Sequence, residues 1–457
     1  MKFIAKTTNQ QKALKKWISV KGHAMRVKEL PPLRVRKKID IAGMTAIADR
    51  AYQTLVSLRD SVLEPWPRKQ APIVTSSRLA QLCEIDRVRL NYLCTKGYKG
   101  NYPVGSLRGE GRSREFTTAE AQEFVRAHGP YRARPEGRRA VVISVGNFKG
   151  GVGKTTETVA LAQGLAMRGY KVLLGDLDPQ GSTTTMMGYV PEAEVTEDMT
   201  VMPFIYGERE VDDGNGNVET VPVTDLWYAV RESYWPGLDL IPSCPALFGA
   251  DFFLPNKQAK DPDFEFWKVL DDGLRPLKDE YDVILLDTPP TLSYLATGAF
   301  MASDGMIVPL PPETLDYASS TQFFRQFAEL FVSLTENRDG LSKEFDFIKI
   351  VLSRVKEVKT TENVREWIQD TYPELLGSSE IFETDVVKNA ASWFKTVYDL
   401  STLKVRDKDQ QAERGGYEGS PKALSRALEY FDDFVNEIIQ EIHLSWGIPV
   451  QTKKDKK

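Results

Sequence analysis

Residues 149–156 read Lys149-Gly150-Gly151-Val152-Gly153-Lys154-Thr155-Thr156, and loops of this composition bind phosphate. Glycines let successive backbone N–H groups turn inward into an anion nest, and a helix that starts there adds the positive end of its dipole. Lys154 then supplies a point charge for β and γ phosphates, and the Thr155 hydroxyl is placed to ligate Mg²⁺. The flanks agree: Ala140–Val145 is a strand-like apolar run leading in, and Thr158–Ala166 is helix-like leading out. A strand, a loop and a helix in that order separate a phosphate cradle from a chance glycine turn.

Two further segments offer carboxylates to the same place. Lys171–Gly175 is a short apolar run ending in Asp176-Leu177-Asp178-Pro179-Gln180-Gly181, and alternate residues of an extended segment face the same way, so Asp176 and Asp178 can share one site. Tyr281–Leu286 is an uninterrupted buried-strand pattern with Asp287 at its carboxyl end, like a Walker B strand, where Asp287 would hold Mg²⁺ through water. Phosphoryl transfer to water needs positioning and charge neutralisation, which lysines, Mg²⁺ and backbone N–H groups provide without a histidine base. The three histidines, His23, His128 and His443, all lie outside these motifs, which argues against a His-centred hydrolase.

The elements that must position these groups alternate along the chain. Met306–Leu310 and Phe347–Leu352 read as two more strands, with a helix over Ser319–Leu334 between them. Strands separated by helices predict an α/β fold, a doubly wound parallel sheet with the nucleotide at the strands' carboxyl ends. Asp212–Asn217 has the look of a calcium loop, but Val218 stands where glycine is required and Thr224 where the bidentate glutamate should be, so it reads as a turn. The carboxyl end, Ala423–Trp446, is an acidic amphipathic helix expected to pack on the core.

The 457 residues are 41% hydrophobic and 27% charged, enough for a large core and two or three domains. Cys83, Cys94 and Cys244 give neither a disulfide framework nor paired metal-ligand spacing, and no apolar run reaches membrane-spanning length. These features, with no signal-peptide pattern, predict a cytoplasmic protein. Charge is divided unevenly. Residues 1–140 carry 29 Lys and Arg against 12 Asp and Glu, a net of +17, so the remainder holds −21 of a chain whose total is −4. A basic block joined to an acidic catalytic body points to a polyanion partner for the front end.

That block has a readable pattern. Thr75, Ser76 and Ser77 offer N-caps for a helix over Arg78–Cys83, a turn follows near Ile85 and Asp86, and a second helix, Arg87–Leu93, buries Val88 or Leu90 with Leu93. It presents Arg87, Arg89, Asn91 and Tyr92, side chains suited to guanine edges, phosphates and adenine. Gly105–Thr117 then reads as a basic, glycine-rich wing carrying Arg112 and Arg114, followed by a helix over Thr118–Val125. Ahead of it, Ile41–Leu63 forms a long helix with Met44, Ile47, Ala51, Leu55, Leu58 and Val62 on one stripe, stopped by Pro65-Trp66-Pro67. The organisation expected is a basic mobile arm (1–40), a helix (41–66), a winged helix-turn-helix domain (67–135), a linker rich in arginine, a nucleotide-binding domain (140–447) and a basic tail (448–457).

Lys149 narrows the class, because an ordinary phosphate loop needs only Lys154. A lysine at the loop's first position, after Asn147 and Phe148, resembles the deviant Walker A box of the ParA/MinD superfamily. With the winged pattern in front, the stretch from about residue 41 to 446 resembles a long-form, type Ia ParA plasmid or chromosome partition ATPase. The resemblance implies a slow, Mg²⁺-dependent ATPase cycling between ATP and ADP, with residues 149–156 on the nucleotide. Lys149 would reach across a homodimer to the partner's nucleotide, Asp176 would lie near the metal and Asp178 would orient the attacking water. It also implies dimerisation through the 41–66 helix, non-specific DNA binding on the nucleoid, a ParB-type centromere-binding partner that stimulates hydrolysis, and repression of the operon by the winged domain at its operator. A late basic set, Arg354, Lys356, Lys359, Arg365, Lys388 and Lys395, falls where the family's non-specific DNA surface lies. Glu157 departs from the pattern, since the family has a small or hydroxyl residue there.

Other classes fit less well. A MinD-like membrane switch needs a basic amphipathic tail, and the last long helix is acidic. A nitrogenase-type reductase needs bridging cysteines that are absent. A nucleotide-regulated transcriptional repressor with no transport role is the remaining alternative, separated by whether DNA and a partner together stimulate turnover.

Overall fold

In the computed structural model the backbone is described for residues 39–62, 69–107, 113–212, 218–336, 341–401 and 419–449, with the short pieces 405–406, 413–414 and Tyr417. The basic arm, the wing tip with Arg112, the turn at 213–217 and the basic tail lie outside the described residues. The chain divides into two units, up to Leu55 and from Val56 onward.

The first unit contributes most of one helix, Ile41–Val62. Gly43 N–H donates to Asp40 Oδ1 at 2.8 Å near its start. Ile41, Met44, Ile47, Tyr52 and Leu55 are all exposed on it, so among the described residues this part of the apolar stripe is uncovered.

The second unit is built on an eight-stranded sheet. With β1 Val74–Thr75, β2 Ser106–Leu107, β3 Arg114–Phe116, β4 Val141–Val145, β5 Val172–Asp176, β6 Glu208–Asp212, β7 Val218–Pro222, β8 Arg231–Glu232, β9 Leu238–Ile241, β10 Val283–Asp287, β11 Gly305–Leu310, β12 Phe347–Val355 and β13 Leu376–Phe382, the large sheet runs β13-β12-β11-β4-β10-β5-β9-β8. All its pairings are parallel except that of β8, an antiparallel edge. The central strands read VVISV, VLLGD, VILLD and GMIVPL, and every residue in them is buried. Near-continuous apolar runs are what a parallel sheet covered on both faces demands. Register matters for function: Asp287 pairs with Val145 on one side and with Asp176 on the other. Both carboxylates therefore reach the carboxyl edge beside the end of β4, where the phosphate loop begins.

Helices close both faces. The phosphate-loop helix Lys154–Met167 is buried almost all round, as a helix trapped between sheet and outer layer must be. The C-terminal helix Pro421–Ser445 lays Leu424, Ala427, Phe431, Phe434, Val435, Ile438, Ile439 and Ile442 onto the core, which agrees with the amphipathic pattern. β6 and β7 form a separate hairpin with Asp212 opposite Val218; residues 213–217 of the calcium-like stretch lie outside the described residues.

The basic front segment folds as two short helices, Ser76–Leu82 and Arg87–Leu93, against the antiparallel sheet β1-β3-β2 and the helix Thr118–His128. Thr75 Oγ1 accepts from Arg78 N–H, Asp86 Oδ1 from Arg89 N–H at 2.7 Å, and Thr117 with Glu120 makes a reciprocal capping box. Each helix thus satisfies orphan N–H groups at its own start. Of the two sequence options for the second helix, Leu90 is the one buried with Leu93, and Val88 stands 79% exposed. Leu79, Phe116 and Phe124 share a continuous core with Val159, Leu165 and Phe431 of the large-sheet body. Polar ties reinforce it: Arg78 forms a two-point ion pair with Asp432, Gln122 Nε2 donates to Pro236 O at 2.7 Å, and Arg126 Nε to Gly169 O at 3.0 Å.

Candidate functional site

The loop after β4 is held before it is used. Asn147 Nδ2 donates to Pro309 O at 2.8 Å and its Oδ1 accepts from Lys149 N–H at 3.0 Å. Gly151 and Gly153 have φ of 77° and 108°, in the left-handed region where a side chain costs free energy, and Gly153 directly caps the phosphate-loop helix. Lys154 arches back so that Nζ donates to Lys149 O at 2.9 Å. Its burial lowers its pKa, while Asp287 and Asp178 pull it back up. A buried ammonium in a glycine loop at the start of a helix makes an anion receptor.

The acidic side of the site is equally buried. Asp287 Oδ2 accepts from Thr155 Oγ1 at 2.9 Å and from Thr183 Oγ1 at 2.7 Å. Burial pushes its carboxyl up to about 6, against the pull of those hydroxyls and Lys154. Asp176 goes up to about 8, again by burial first and then by the neighbouring Asp287. Its Oδ2 accepts from both the N–H and the hydroxyl of Thr184, at 2.8 and 2.7 Å, and its Oδ1 from Asp178 N–H at 3.2 Å. Asp176 therefore ties the segment that follows β5 to the sheet edge. Asp178 lies in that segment and lines the cavity above the loop, with its Oδ1 accepting from Gln180 N–H at 2.9 Å. The segment is pinned on its far side by Ser243, whose Oγ donates to Asp178 O at 2.6 Å.

The cavity measures about 690 Å³ and is walled by Gly150, Gly151, Gly153, Lys154, Thr155 and Thr156, with Asp178, Pro290, Arg354, Phe382 and Lys388 around it. Among the described residues no three His, Cys, Asp or Glu side chains converge to hold an ion alone. The donor set instead fits a hard cation that brings its own oxygen ligands: one hydroxyl from Thr155, one raised carboxyl from Asp287, and phosphate oxygens for the rest.

Lys149 is not in that wall. Its Nζ pairs with Asp316 Oδ1 at 2.8 Å, at the start of the helix Thr314–Glu336, and its side chain is one-third exposed.

The residues assigned to nucleic acid fall into two places. Arg87, Arg89, Asn91 and Tyr92 are all exposed on one short helix. Arg87 donates to Ser77 Oγ, and the Arg89 guanidinium lies 5.4 Å over the Tyr92 ring. Arg114 turns onto its own hairpin, Nη1 donating to Val104 O at 3.0 Å. Arg354 and Lys388 are in the cavity wall. Arg354 Nη1 donates to Gly151 O at 2.6 Å, and both residues pair with Glu383, at 3.1 and 3.2 Å.

Sequence reasoning missed Asp316, Thr183, Thr184, Ser243 and Glu383. The run Ser182-Thr183-Thr184-Thr185 directly after the paired aspartates was a visible signal, with hydroxyls in reach of two carboxylates. Asp316 and Glu383 come from distant elements and have no local signature.

A parallel sheet with a lysine-bearing glycine loop, a helix starting on it and an aspartate at the adjoining strand's end define a P-loop nucleotide-hydrolase core. The family model for an AAA domain matches residues 140–339. Protein SopA of Escherichia coli (strain K12) is 30% identical over 350 residues, covering 75% of this chain and 81% of SopA. The chromosome partitioning protein ParA of Myxococcus xanthus (strain DK1622) is 35% identical over 172 residues, covering 38% of this chain and 52% of that protein. A solved Partition Protein shares the fold with a TM-score of 0.58 at 18% identity, over 89% of this chain and 99% of its own. The chain belongs to the ParA/MinD-type family of P-loop ATPases. Among the described residues no helix is long and apolar enough to cross a membrane.

Proposed function

We propose that the chain is a DNA partition ATPase of the long ParA type, a homodimer that closes on ATP, binds DNA without sequence preference and is released when a centromere-bound ParB-type partner stimulates hydrolysis. The single observation that carries the reading is Lys149. It sits at the head of the loop, yet its side chain stays out of its own cavity, the amine pairing instead with the buried carboxyl of Asp316 at 2.8 Å. A loop lysine whose amine points away from its own cavity can exchange Asp316 for a partner's triphosphate, where charge spreading over the γ-phosphate needs a second neutralising group.

Within one subunit the roles follow from placement. Residues 150–156 cradle the phosphates, and Lys154 meets the β and γ oxygens. Thr155 directly, and Asp287 through water, would hold Mg²⁺, which neutralises phosphate charge when bound. Asp178, on the pinned segment facing the cavity, orients the water. Asp176 keeps that segment in place. Arg87, Arg89, Asn91 and Tyr92 read operator DNA from a helix-turn-helix, with Arg112 and Arg114 on its wing. Lys388 adds to a non-specific DNA surface, and the exposed stripe of the Ile41–Val62 helix takes the same helix of a second copy. The protein acts in the cytoplasm on the nucleoid.

The test is ATP-dependent association. Light scattering should show a larger particle with MgATP than with MgADP, and Lys149→Ala should bind ATP with near wild-type affinity but fail to form the closed particle. Turnover should rise when DNA and the centromere-binding partner are added together. Turnover indifferent to both would leave a nucleotide-regulated repressor. A Lys149→Ala protein that still closes and still responds would refute the partition cycle.

A further inference from the structure

We propose that Arg354 is a positioning residue of the phosphate loop, fixing the Gly151–Val152 peptide so that the loop is preformed for a triphosphate. The proposal rests on the nucleotide reading of the site and reassigns a residue that family likeness places on the DNA surface.

Arg354, the penultimate residue of β12, has φ of 49° and is one of three non-glycine residues with positive φ among those described. Left-handed backbone costs an L-residue free energy, and such strain persists only where surrounding contacts impose it. What this conformation achieves is the placement of the guanidinium across the cavity wall. Nη1 donates to Gly151 O at 2.6 Å, and Nη2 pairs with Glu383 at 3.1 Å. Glu383 is itself held by Lys388 at 3.2 Å and Lys356 at 3.8 Å, and Lys356 by Glu313 at 2.6 Å. The arginine is thus anchored on one side and grips the loop with the other.

Gripping that carbonyl has a stereochemical consequence. In a trans peptide the C=O and the following N–H point in opposite directions, so a donor on Gly151 O also sets where Val152 N–H points. A loop with glycine at 150, 151 and 153 would otherwise sample many orientations of its N–H groups. Glu157 crowds the loop at Gly153. It is only 3% exposed and lies beneath Gly153, so close that a Cβ there would stand 2.7 Å from Oε1. Its Oε2 has no hydrogen-bond partner among the described residues, and it lines the same cavity. The loop is gripped at Gly151 by a cation, and at Gly153 it runs against the buried Glu157 carboxyl.

The experiment compares Arg354→Ala, Arg354→Gly and Arg354→Lys in the full chain, with Lys154→Ala as the reference for a lost site. Readouts are affinity for a fluorescent ATP analogue with Mg²⁺, KM and kcat separately, thermal midpoint and non-specific DNA affinity. The Ala and Gly variants should lose more than tenfold in nucleotide affinity, mainly through KM. Lysine, which keeps one donor for the carbonyl, should recover part of it. The Gly variant should melt at or above the Ala variant because glycine relieves the left-handed backbone. Nucleotide affinity within twofold of wild type for both Ala and Gly overturns the proposal, as does loss of DNA affinity with nucleotide affinity intact. If Lys154→Ala binds as wild type does, the nucleotide reading itself has failed, an outcome distinct from failure at Arg354 alone.

Discussion

Two sets of largely buried aspartates sit in this molecule, Asp432 with its side chain 13% exposed and Asp176 with Asp287 fully buried, and their surroundings pull in opposite directions. Asp432, on the C-terminal helix, accepts from Arg78 at 2.8 Å, from Arg168 at 3.0 Å and from Tyr398 OH at 2.9 Å. Burial alone would raise its pKa, but the two guanidiniums hold it well below the usual carboxylate range. Asp176 and Asp287 have hydroxyls and backbone N–H groups as hydrogen-bond partners and are pushed up to about 8 and about 6. A buried charge neutralised by fixed arginines is part of the scaffold. Carboxyls left short of positive charge beside an ammonium-bearing loop are waiting for a cation and a polyanion to arrive together. Placement differs accordingly: Asp432 joins the front segment to the far end of the phosphate-loop helix, where Arg168 Nη1 also donates to Gly164 O at 3.0 Å, and Asp287 sits at that helix's near end.

The largest effect should come from breaking the scaffold pair. Asp432→Asn leaves Arg78 and Arg168 facing each other without a counter-charge, and removing one partner of a buried pair costs about 3–5 kcal/mol. Chemical denaturation of the nucleotide-free protein measures it. The pH dependence has a definite sign. Because the folded carboxyl titrates below its unfolded value of about 3.9, its stabilising contribution is complete above that value and is lost as pH falls through the lower, folded one. The Asn variant should lack this acid limb. A wild-type and variant pair with equal stability from neutral pH down to acid unfolding would show that the clamp contributes nothing.

Asp287→Asn should behave in the opposite way. Asparagine can still accept from Thr155 and Thr183 and removes a buried acid, so stability without ligand should change by less than about 1 kcal/mol. The loss appears with ligand. MgATP at about a hundred times its Kd should stabilise the wild type by about 2.7 kcal/mol, read as a thermal shift, and that shift should collapse in the variant together with Mg²⁺-dependent turnover. A full thermal shift in Asp287→Asn would remove the distinction between waiting and structural carboxyls.

How much of this was legible in the residues alone depends on whether the signal was local. Each central strand was readable within a residue or two, because a strand buried on both faces must be apolar throughout. The helix Arg87–Leu93 was readable from its cap and its apolar spacing. β9, β13 and the β6–β7 hairpin were missed. β9 spans four residues, and both β13 and the hairpin carry polar, partly exposed sequences, LGSSEIF and EREVD with VETVP. The Asp432 clamp was invisible for a different reason: Arg78, Arg168 and Asp432 meet only through tertiary packing, and each looked like an ordinary surface charge. Lys69, buried with Nζ donating to Met186 O at 2.8 Å and Phe394 O at 2.6 Å, escaped in the same way. At the site itself the loop and Asp287 were plain, while Asp316 and Arg354 required the fold to bring elements far along the chain back onto the loop.

The smallest effect separates two sets of arginines a few residues apart. Arg78 is spent on Asp432, whereas Arg87 and Arg89 stand exposed on the next helix, Arg89 over Tyr92. Replacing Arg87 and Arg89 with alanine should leave stability within about 0.5 kcal/mol, the usual range for surface positions. Operator binding should weaken by about 1–3 kcal/mol for each arginine that reads a base edge, while non-specific binding, dominated by phosphate interactions elsewhere, changes little. Footprinting at a fixed salt concentration reads the first, and a salt titration of DNA affinity reads the second, since each neutralised phosphate adds to the slope through counterion release. If the operator footprint survives in the double variant, the exposed helix does not face the bases. If instead the variant loses stability as Arg78→Ala should, its arginines belong to the scaffold after all.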